Sequence, residues 1–245
     1  MENAAYIGLS RQMTLRRELD VVANNIANAQ TTGFKVEQLL VGTEVGERAR
    51  NDSVRPGVSF VLDTGVGRDF SQGALAETGR ALDFAIEGEG AFFTLQDGAR
   101  EAYTRDGAFT LDPEGRLVTE GGLPVMGDGG EIILDPALGS PSVAPDGTIS
   151  QDGQLVGRLS VVRFESMAVL EKGGDGLYRN ASNSTPLEAT DARLRQGMLE
   201  GSNVNSILEI TNLIEISRAY ESVTRMIEQN NDLSRRSVER LGRVS

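Results

Sequence analysis

Six Asp-Gly pairs lie in the middle of the chain and predict that this part is built from β-strands. The pairs begin at Asp97, Asp106, Asp128, Asp146, Asp152 and Asp175. Both residues tolerate a positive φ, so an Asp-Gly pair between apolar runs is typical of a tight hairpin turn. The runs between the pairs, such as AFFTL and EIIL, have the composition of strands. We therefore predict a central all-β domain over residues 76–184.

The two ends of the chain have helical periodicity instead. Near the N-terminus, Leu15, Leu19, Val22 and Ile26 recur at intervals of three and four residues, within a helix predicted from about residue 3 to 29. Near the C-terminus the same spacing joins Leu213, Ile216, Tyr220, Val223 and Ile227. Stripes this narrow are typical of a coiled-coil seam. The spacing of Ser206 and Glu209 matches a capping box at the start of the second helix.

Three asparagines crowd into the end of the first helix, although asparagine is a poor residue for a helix interior. They are Asn24, Asn25 and Asn28. One interpretation is a solvated helix face, but glutamate or lysine would serve better there. The interpretation we favour is that the amides form hydrogen bonds across helix contacts and fix the register between copies. The predicted assembly interface contains Leu15, Leu19, Val22, Asn24, Asn25, Ile26, Asn28, Leu213, Ile216, Tyr220, Val223 and Ile227.

These patterns together predict an α+β fold. The N- and C-terminal helices are expected to pair in a coiled-coil-like arrangement around the central all-β domain, with extended connectors. The predicted parts are a terminal helical assembly domain (1–35 with 205–245), an extended connector region (36–75 with 185–204) and the β domain (76–184).

Composition removes several classes of enzyme. The chain has no cysteine and no histidine, which excludes a thiol nucleophile, a catalytic triad with an imidazole base and the usual structural zinc site. The Asp-Gly pairs lack the acidic ladder of a calcium loop. We predict no catalytic residue, no metal and no cofactor. A glycan hydrolase that uses two carboxylates stays open as an alternative, because 36 residues are acidic, but no pair stands out.

The charge is unevenly distributed along the chain. The net charge is −12, which argues against a nucleic-acid partner. Residues 205–245 carry six basic and six acidic groups, whereas residues 36–204 carry 14 basic and 27 acidic groups. Balanced ends can associate with like copies, while an acidic middle resists it. No apolar run is long enough for a membrane span, and the N-terminus has no apolar segment typical of a cleavable signal peptide.

Four stretches resemble one known family. They are LDVVANNIANAQTTGFK (19–35), QGALAETGRALDFAIEGEGAFF (72–93), YTRDGAFTLDPEGRLVTEGGLPVMG (103–127) and QGMLEGSNVNSILEITNLIEISRAYES (196–222). In this order they resemble the bacterial flagellar axial proteins, the rod and hook family. The opening residues and the short length are most similar to the proximal-rod members, with the distal-rod members as the alternative.

The resemblance implies a structural subunit of the flagellar basal-body rod and not an enzyme. Such a subunit polymerises through its terminal helices into a torque-transmitting shaft that spans the periplasm. The implied partners are other rod proteins, copies of the same chain and the flagellar type III export apparatus, which needs no cleaved signal peptide. No small-molecule substrate is implied.

Overall fold

A computed structural model of the chain describes residues 2–45, 59–182 and 184–242. These residues form two α-helices, α1 (Glu2–Ala27) and α2 (Ser206–Gly242). Between the helices lie the strands β1 (Glu37–Val45), β2 (Ser59–Arg68), β3 (Leu75–Glu77), β4 (Phe84–Glu87), β5 (Ala91–Asp97), β6 (Arg100–Thr104), β7 (Phe109–Leu111), β8 (Leu117–Thr119), β9 (Met126–Gly127), β10 (Gly130–Glu131), β11 (Ser142–Val143), β12 (Thr148–Gln151), β13 (Gln154–Arg158), β14 (Val161–Arg163), β15 (Leu170–Lys172), β16 (Tyr178–Asn180), β17 (Leu187–Glu188), β18 (Arg193–Gln196) and β19 (Met198–Glu200). Short 3-10 helices cover Pro136–Leu138 and Met167–Val169.

The chain divides into two compact units. The helix–hairpin unit contains Met1–Ala27, Glu37–Arg68 and Asn205–Ser245, and the β unit contains Asn28–Val36 and Asp69–Val204. The chain therefore passes from one unit to the other four times. The predicted three-part division, with a separate connector region, stays a prediction.

In the helix–hairpin unit, α1 contacts both α2 and an antiparallel hairpin. The hairpin pairs β1 with β2, from Glu37 opposite Arg68 to Val45 opposite Ser59, with a shift in register after Leu40. Thus most of the connector predicted for residues 36–75 is a paired hairpin, apart from residues 46–58, which lie outside the described residues. Since α1 packs on two different neighbours, its inner face is not reserved for a second helix.

The helix α2 begins one residue earlier than a Ser206 cap would place it. The side chain of Asn205 accepts hydrogen bonds from the N–H groups of Ile207 (3.1 Å) and Leu208 (3.3 Å). The carbonyl of Asn205 accepts the N–H of Glu209 at 3.0 Å. Asn205 is thus the N-cap, and the predicted capping box of Ser206 and Glu209 is wrong.

The β unit is organised around a six-stranded sheet of order β15-β16-β6-β5-β14-β17. A three-stranded sheet, β11-β12-β13, and several two-stranded sheets complete it. Strands β18 and β19 return to pair with β4 and β3, which closes the late part of the unit onto its early part. The core is apolar and includes Phe84, Phe93, Leu95 and Phe109.

Five of the six Asp-Gly pairs lie where the sequence predicts a turn between paired strands. The turn between β12 and β13 is typical, because Asp152 and Gly153 both have a positive φ, 49° and 75°. The exception is Asp106-Gly107, which joins β6 to β7, two strands from different sheets. There the glycine permits a close approach of backbones, since a Cβ on Gly107 would lie 1.7 Å from the carbonyl oxygen of Phe84.

The predicted fold class is wrong. The described residues form nineteen β-strands and two α-helices, one at each end, and show no coiled coil. The two helices do contact each other, but every described side chain of α2 is exposed or half-buried, whereas a coiled-coil seam encloses its apolar residues. The hairpin contacts α1 as well, and this contact explains why the narrow stripe of α1 was misread.

Candidate assembly interface

The helices α1 and α2 run antiparallel. Gly8 lies against Ile227, and the side-chain amide of Gln12 donates to the hydroxyl of Thr224 at 3.1 Å. A Cβ on Gly8 would lie 2.9 Å from Cγ1 of Ile227, so glycine lets the two helices approach closely here. At the other end of α1, Asn25 contacts Glu209. The N-terminal half of α1 therefore lies beside the C-terminal half of α2.

Asn25 joins three elements of the helix–hairpin unit. Its Nδ2 donates to the carbonyl of Glu37 at 2.8 Å and to Oε2 of Glu209 at 3.0 Å, while its Oδ1 accepts the N–H of Glu37 at 2.9 Å. The amide pairs with the backbone of β1 as another strand would, and it also holds the first turn of α2. Because Asn25 is buried, these bonds are shielded from water.

The predicted interface residues occupy different environments. Leu15 and Val22 are buried and stand seven residues apart on the inner face of α1. Leu19 and Ile26 are half-buried, as are Leu213, Ile216, Tyr220, Val223 and Ile227 of α2. Asn24 is exposed. Asn28 belongs to the β unit, and its Oδ1 accepts the hydroxyl of Thr31 at 3.2 Å. Contact of these residues with neighbouring copies stays a prediction.

Sequence reasoning missed the exposed apolar residues of the same helices. On α1 they include Tyr6, Leu9 and Met13, which are 64%, 50% and 67% exposed. On α2 they include Ile207, Ile210 and Ile214. Each set has the spacing of three and four residues that places side chains on one helix face. A search for two apolar stripes on each helix, rather than one, would have found them.

A groove lies between α1, β1 and the first half of α2. Its volume is about 230 Å³. The lining residues are Glu18, Val21, Val22, Glu37, Gln38, Leu39, Glu209, Asn212, Glu215 and Ile216. Apolar side chains from all three elements therefore meet four glutamates at one place. Arg68 Nε pairs with Oε1 of Glu37 at 2.9 Å, and Arg11 Nη1 lies 3.6 Å from Oε1 of Glu18.

The β unit contains a buried ion network that no sequence pattern indicated. Lys35, Arg105 and Glu200 have side chains only 1–2% exposed. Nζ of Lys35 donates to Oε1 of Glu200 at 2.6 Å and to the carbonyl of Ser71 at 2.6 Å. Nε of Arg105 donates to Oε2 of Glu200. One carboxylate thus forms ion pairs with two buried cations and ties the segment after α1 to β19, within the unit.

Burial also shifts the pKa values of the two cations in this network. Desolvation lowers the pKa of Lys35, and the hydrogen bond with Glu200 offsets part of that shift. Desolvation lowers the pKa of Arg105 in the same way, again opposed by Glu200. The removal of Glu200 would leave both cations without a carboxylate, in a place where water cannot replace it.

Within the described ranges, no group of three or more acidic side chains is placed to hold a metal ion. None of the described helices is long and apolar enough to cross a membrane.

Three family models match the chain in order. They are the flagella basal body rod protein model (6–35), the FlgE/F/G D1 domain model of flagellar hook proteins (85–151) and the flagellar basal body rod FlgEFG C-terminal model (195–240). They cover α1, the first part of the β unit and most of α2, so the class of protein is that of the flagellar rod and hook.

Full-length relatives specify the family further. The flagellar basal-body rod protein FlgF of Caulobacter vibrioides is 55% identical over the whole of both chains, and that of Mesorhizobium japonicum is 35% identical, also over the whole of both. The rod protein FlgG of Bacillus subtilis is 32% identical over 95% of this chain and 97% of its own. The chain belongs to the flagellar basal-body rod protein family and is FlgF-like.

Family membership confirms the predicted rod protein. Its relatives are named as rod proteins, so the carboxylate hydrolase loses its support. The distal-rod alternative is weaker than the FlgF-like assignment, because the FlgG relatives are 32–34% identical.

Proposed function

We propose that this chain is a proximal subunit of the flagellar rod and joins the rod through its helix–hairpin unit. One observation carries the proposal. Of the sixteen large hydrophobic side chains that are exposed among the described residues, twelve belong to the helix–hairpin unit. Exposed apolar patches of this kind mark protein–protein contacts. The β unit encloses most of its own large hydrophobic residues and needs no partner to bury them.

The two units of the chain have different roles in the rod. The helix–hairpin unit makes the contacts through which the rod transmits torque, and the β unit is the part of the subunit that encloses its own apolar core. The partners are other rod proteins and further copies of the chain. Export proceeds through the flagellar type III apparatus to a rod that spans the periplasm.

Genetics and microscopy together test this function. Deletion of the gene should abolish motility and leave basal bodies that lack a complete rod, and the full-length chain supplied in trans should restore both. Antibody against the β unit should label isolated basal bodies at the rod. Normal rods in the deletion strain, or label confined to the soluble fraction, would contradict the proposal.

A further inference from the structure

The outer face of α1 carries a stripe that the rest of the unit leaves open. Tyr6, Leu9, Met13 and Arg16 follow each other at intervals of three, four and three residues, and all four are exposed. They point away from Leu15 and Val22, because steps of 100° per residue place the two sets on opposite sides of the helix. The stripe is thus apolar along most of its length and basic at its end.

The groove described above has the complementary character. Its apolar lining includes Val22, Leu39 and Ile216, and the charged side chains among the described lining residues are four glutamates. Arg11 and Arg68 pair with two of these glutamates, and Glu209 and Glu215 stand on the α2 side. At about 230 Å³ the groove is smaller than the roughly 300–1,000 Å³ of small-molecule pockets. A protruding side chain or two fits it better than a cofactor.

One molecule cannot bring its own stripe and groove together. Met13 and Val22 are nine residues apart on the same rigid helix, about 13 Å along its axis, and they face opposite sides. The contact therefore requires two molecules. It is heterologous, since different surfaces of the two copies meet, and one copy keeps its groove free while the other keeps its stripe free. Repeated from copy to copy, such a contact closes into a ring or extends as an open helical array, according to the rotation between neighbours.

We propose that the stripe of one copy (Tyr6, Leu9, Met13 and Arg16) docks into the acidic groove of a second copy of this chain. The inference rests on the proposed rod function and names the surfaces that make the contact. Met13 and at most one other apolar side chain of the stripe enter the groove, and the guanidinium of Arg16 reaches the carboxylates on its α2 side. The charge of the two surfaces selects this pairing over stripe to stripe.

Site-specific crosslinking tests the contact directly, because the chain has no cysteine of its own. Met13→Cys and Asn212→Cys in the same chain should give linked pairs and higher multiples of the chain in isolated basal bodies after oxidation. Each single variant should stay unlinked. A matched control combines Met13→Cys with Gln154→Cys, an exposed position of the β unit, and should also stay unlinked.

The outcomes separate the inference from the function on which it rests. If the wild-type chain is absent from basal bodies, the rod function fails. If the double variant is present but unlinked, the docking fails and the rod function stands. Links formed by Met13→Cys alone would show a symmetric contact, and links only to a different protein would show a different occupant; both results overturn the inference.

Charge reversal provides a second test that needs no crosslink. Arg16→Glu should lower the amount of chain recovered in basal bodies about three- to tenfold. Addition of Glu215→Arg to the same chain should restore it, because the reversed charges again attract. Glu228→Arg is the matched control, an exposed glutamate on α2 that does not line the groove. If Glu215→Arg and Glu228→Arg, each added to Arg16→Glu, gave equal recovery of the chain in basal bodies, the docking would be overturned.

Discussion

Glu200 is the residue on which the charge balance inside the β unit depends. It accepts from Lys35, from Arg105 and from the N–H of Gly73 (2.8 Å), all shielded from solvent. Removal of one partner of a buried ion pair leaves an uncompensated charge, which typically costs about 3–5 kcal/mol. Exposed pairs contribute far less, about 0–1 kcal/mol.

We therefore expect Glu200→Gln to lower the free energy of unfolding by about 3 kcal/mol or more. The matched control is Glu87→Gln, which breaks the exposed pair with Arg195 (3.0 Å) and should cost less than about 1 kcal/mol. Denaturant titration of the purified chain, followed by a signal from the β unit, measures both. Equal costs for the two variants would show that the buried network does not stabilise the unit.

Asp106 should make the free energy of unfolding depend on pH with a sign opposite to that of a carboxylate whose pKa is lowered by folding. Burial raises its pKa above 3.8, although the N–H of Ala108 and the hydroxyl of Thr32 donate to it. The folded state then binds a proton more tightly than the unfolded state. The charged carboxylate therefore destabilises the folded state. This destabilisation is fully present above the pKa of the folded state and disappears as the pH falls toward 3.8. Wild type should therefore gain stability relative to Asp106→Asn between pH 7 and pH 4.

A second aspartate supplies the contrast. The N–H and hydroxyl of Thr148 lower the pKa of Asp146, so the folded state favours the charged form there. Its contribution is present above pH 3.8 and is lost as pH falls through the lower folded pKa. Wild type should lose stability relative to Asp146→Asn in that lower range. Denaturant titrations at several pH values compare wild type with Asp106→Asn and with Asp146→Asn. If the stability difference changed with pH in the same direction for both variants, the opposite pKa shifts of the two aspartates would be contradicted.

At the scale of elements, α1 has an inner face and an outer face that should respond differently to truncation. Leu15 is buried and Leu9 is 50% exposed. Leu15→Ala should lower the free energy of unfolding of the helix–hairpin unit by about 2–5 kcal/mol, and Leu9→Ala by under about 1 kcal/mol. Leu9→Ala should instead reduce incorporation into basal bodies. Denaturant titration and recovery in basal bodies, measured on both variants, check this. A larger loss of stability for Leu9→Ala than for Leu15→Ala would contradict the assignment of an inner and an outer face.

The elements also show what sequence reasoning reached and what it missed. Asp-Gly turns and helical periods are local signals, and they placed the β part and both terminal helices. For Asn25 the sequence predicts hydrogen bonds across a helix contact, but it does not predict the partners Glu37 and Glu209, because only the fold brings them to Asn25. The network of Lys35, Arg105 and Glu200 was missed for the same reason, since charged residues are normally exposed. The prediction of a coiled coil is wrong because periodicity does not reveal that the hairpin packs on α1 as well as α2 does.

At the scale of the whole molecule, the two units differ in how well they enclose their own apolar residues. Side chains of β4, β5 and β6 are buried in the core of the β unit, whereas no described side chain of α2 is fully buried. Helix stability in water depends on packing, and weakly packed elements open most readily. The chain thus consists of a self-sufficient β unit and helices that gain stability from neighbours.

We expect hydrogen exchange of the unassembled, monodisperse chain to reflect this difference. Backbone amides of residues 208–240 should exchange much faster than those of β5 and β6, and they should become protected in isolated basal bodies. Strong protection of α2 in the free chain would show that the helix needs no neighbour.

The central claim is that the helix–hairpin unit, and not the β unit, attaches this chain to the rod. Electron cryomicroscopy of isolated basal bodies, at a resolution that identifies side chains, tests it most directly. The account predicts that α1 and α2 of this chain contact neighbouring subunits through Tyr6, Leu9 and Met13 and through the groove at Glu215. Attachment through the β unit, with both helices facing solvent, would contradict it.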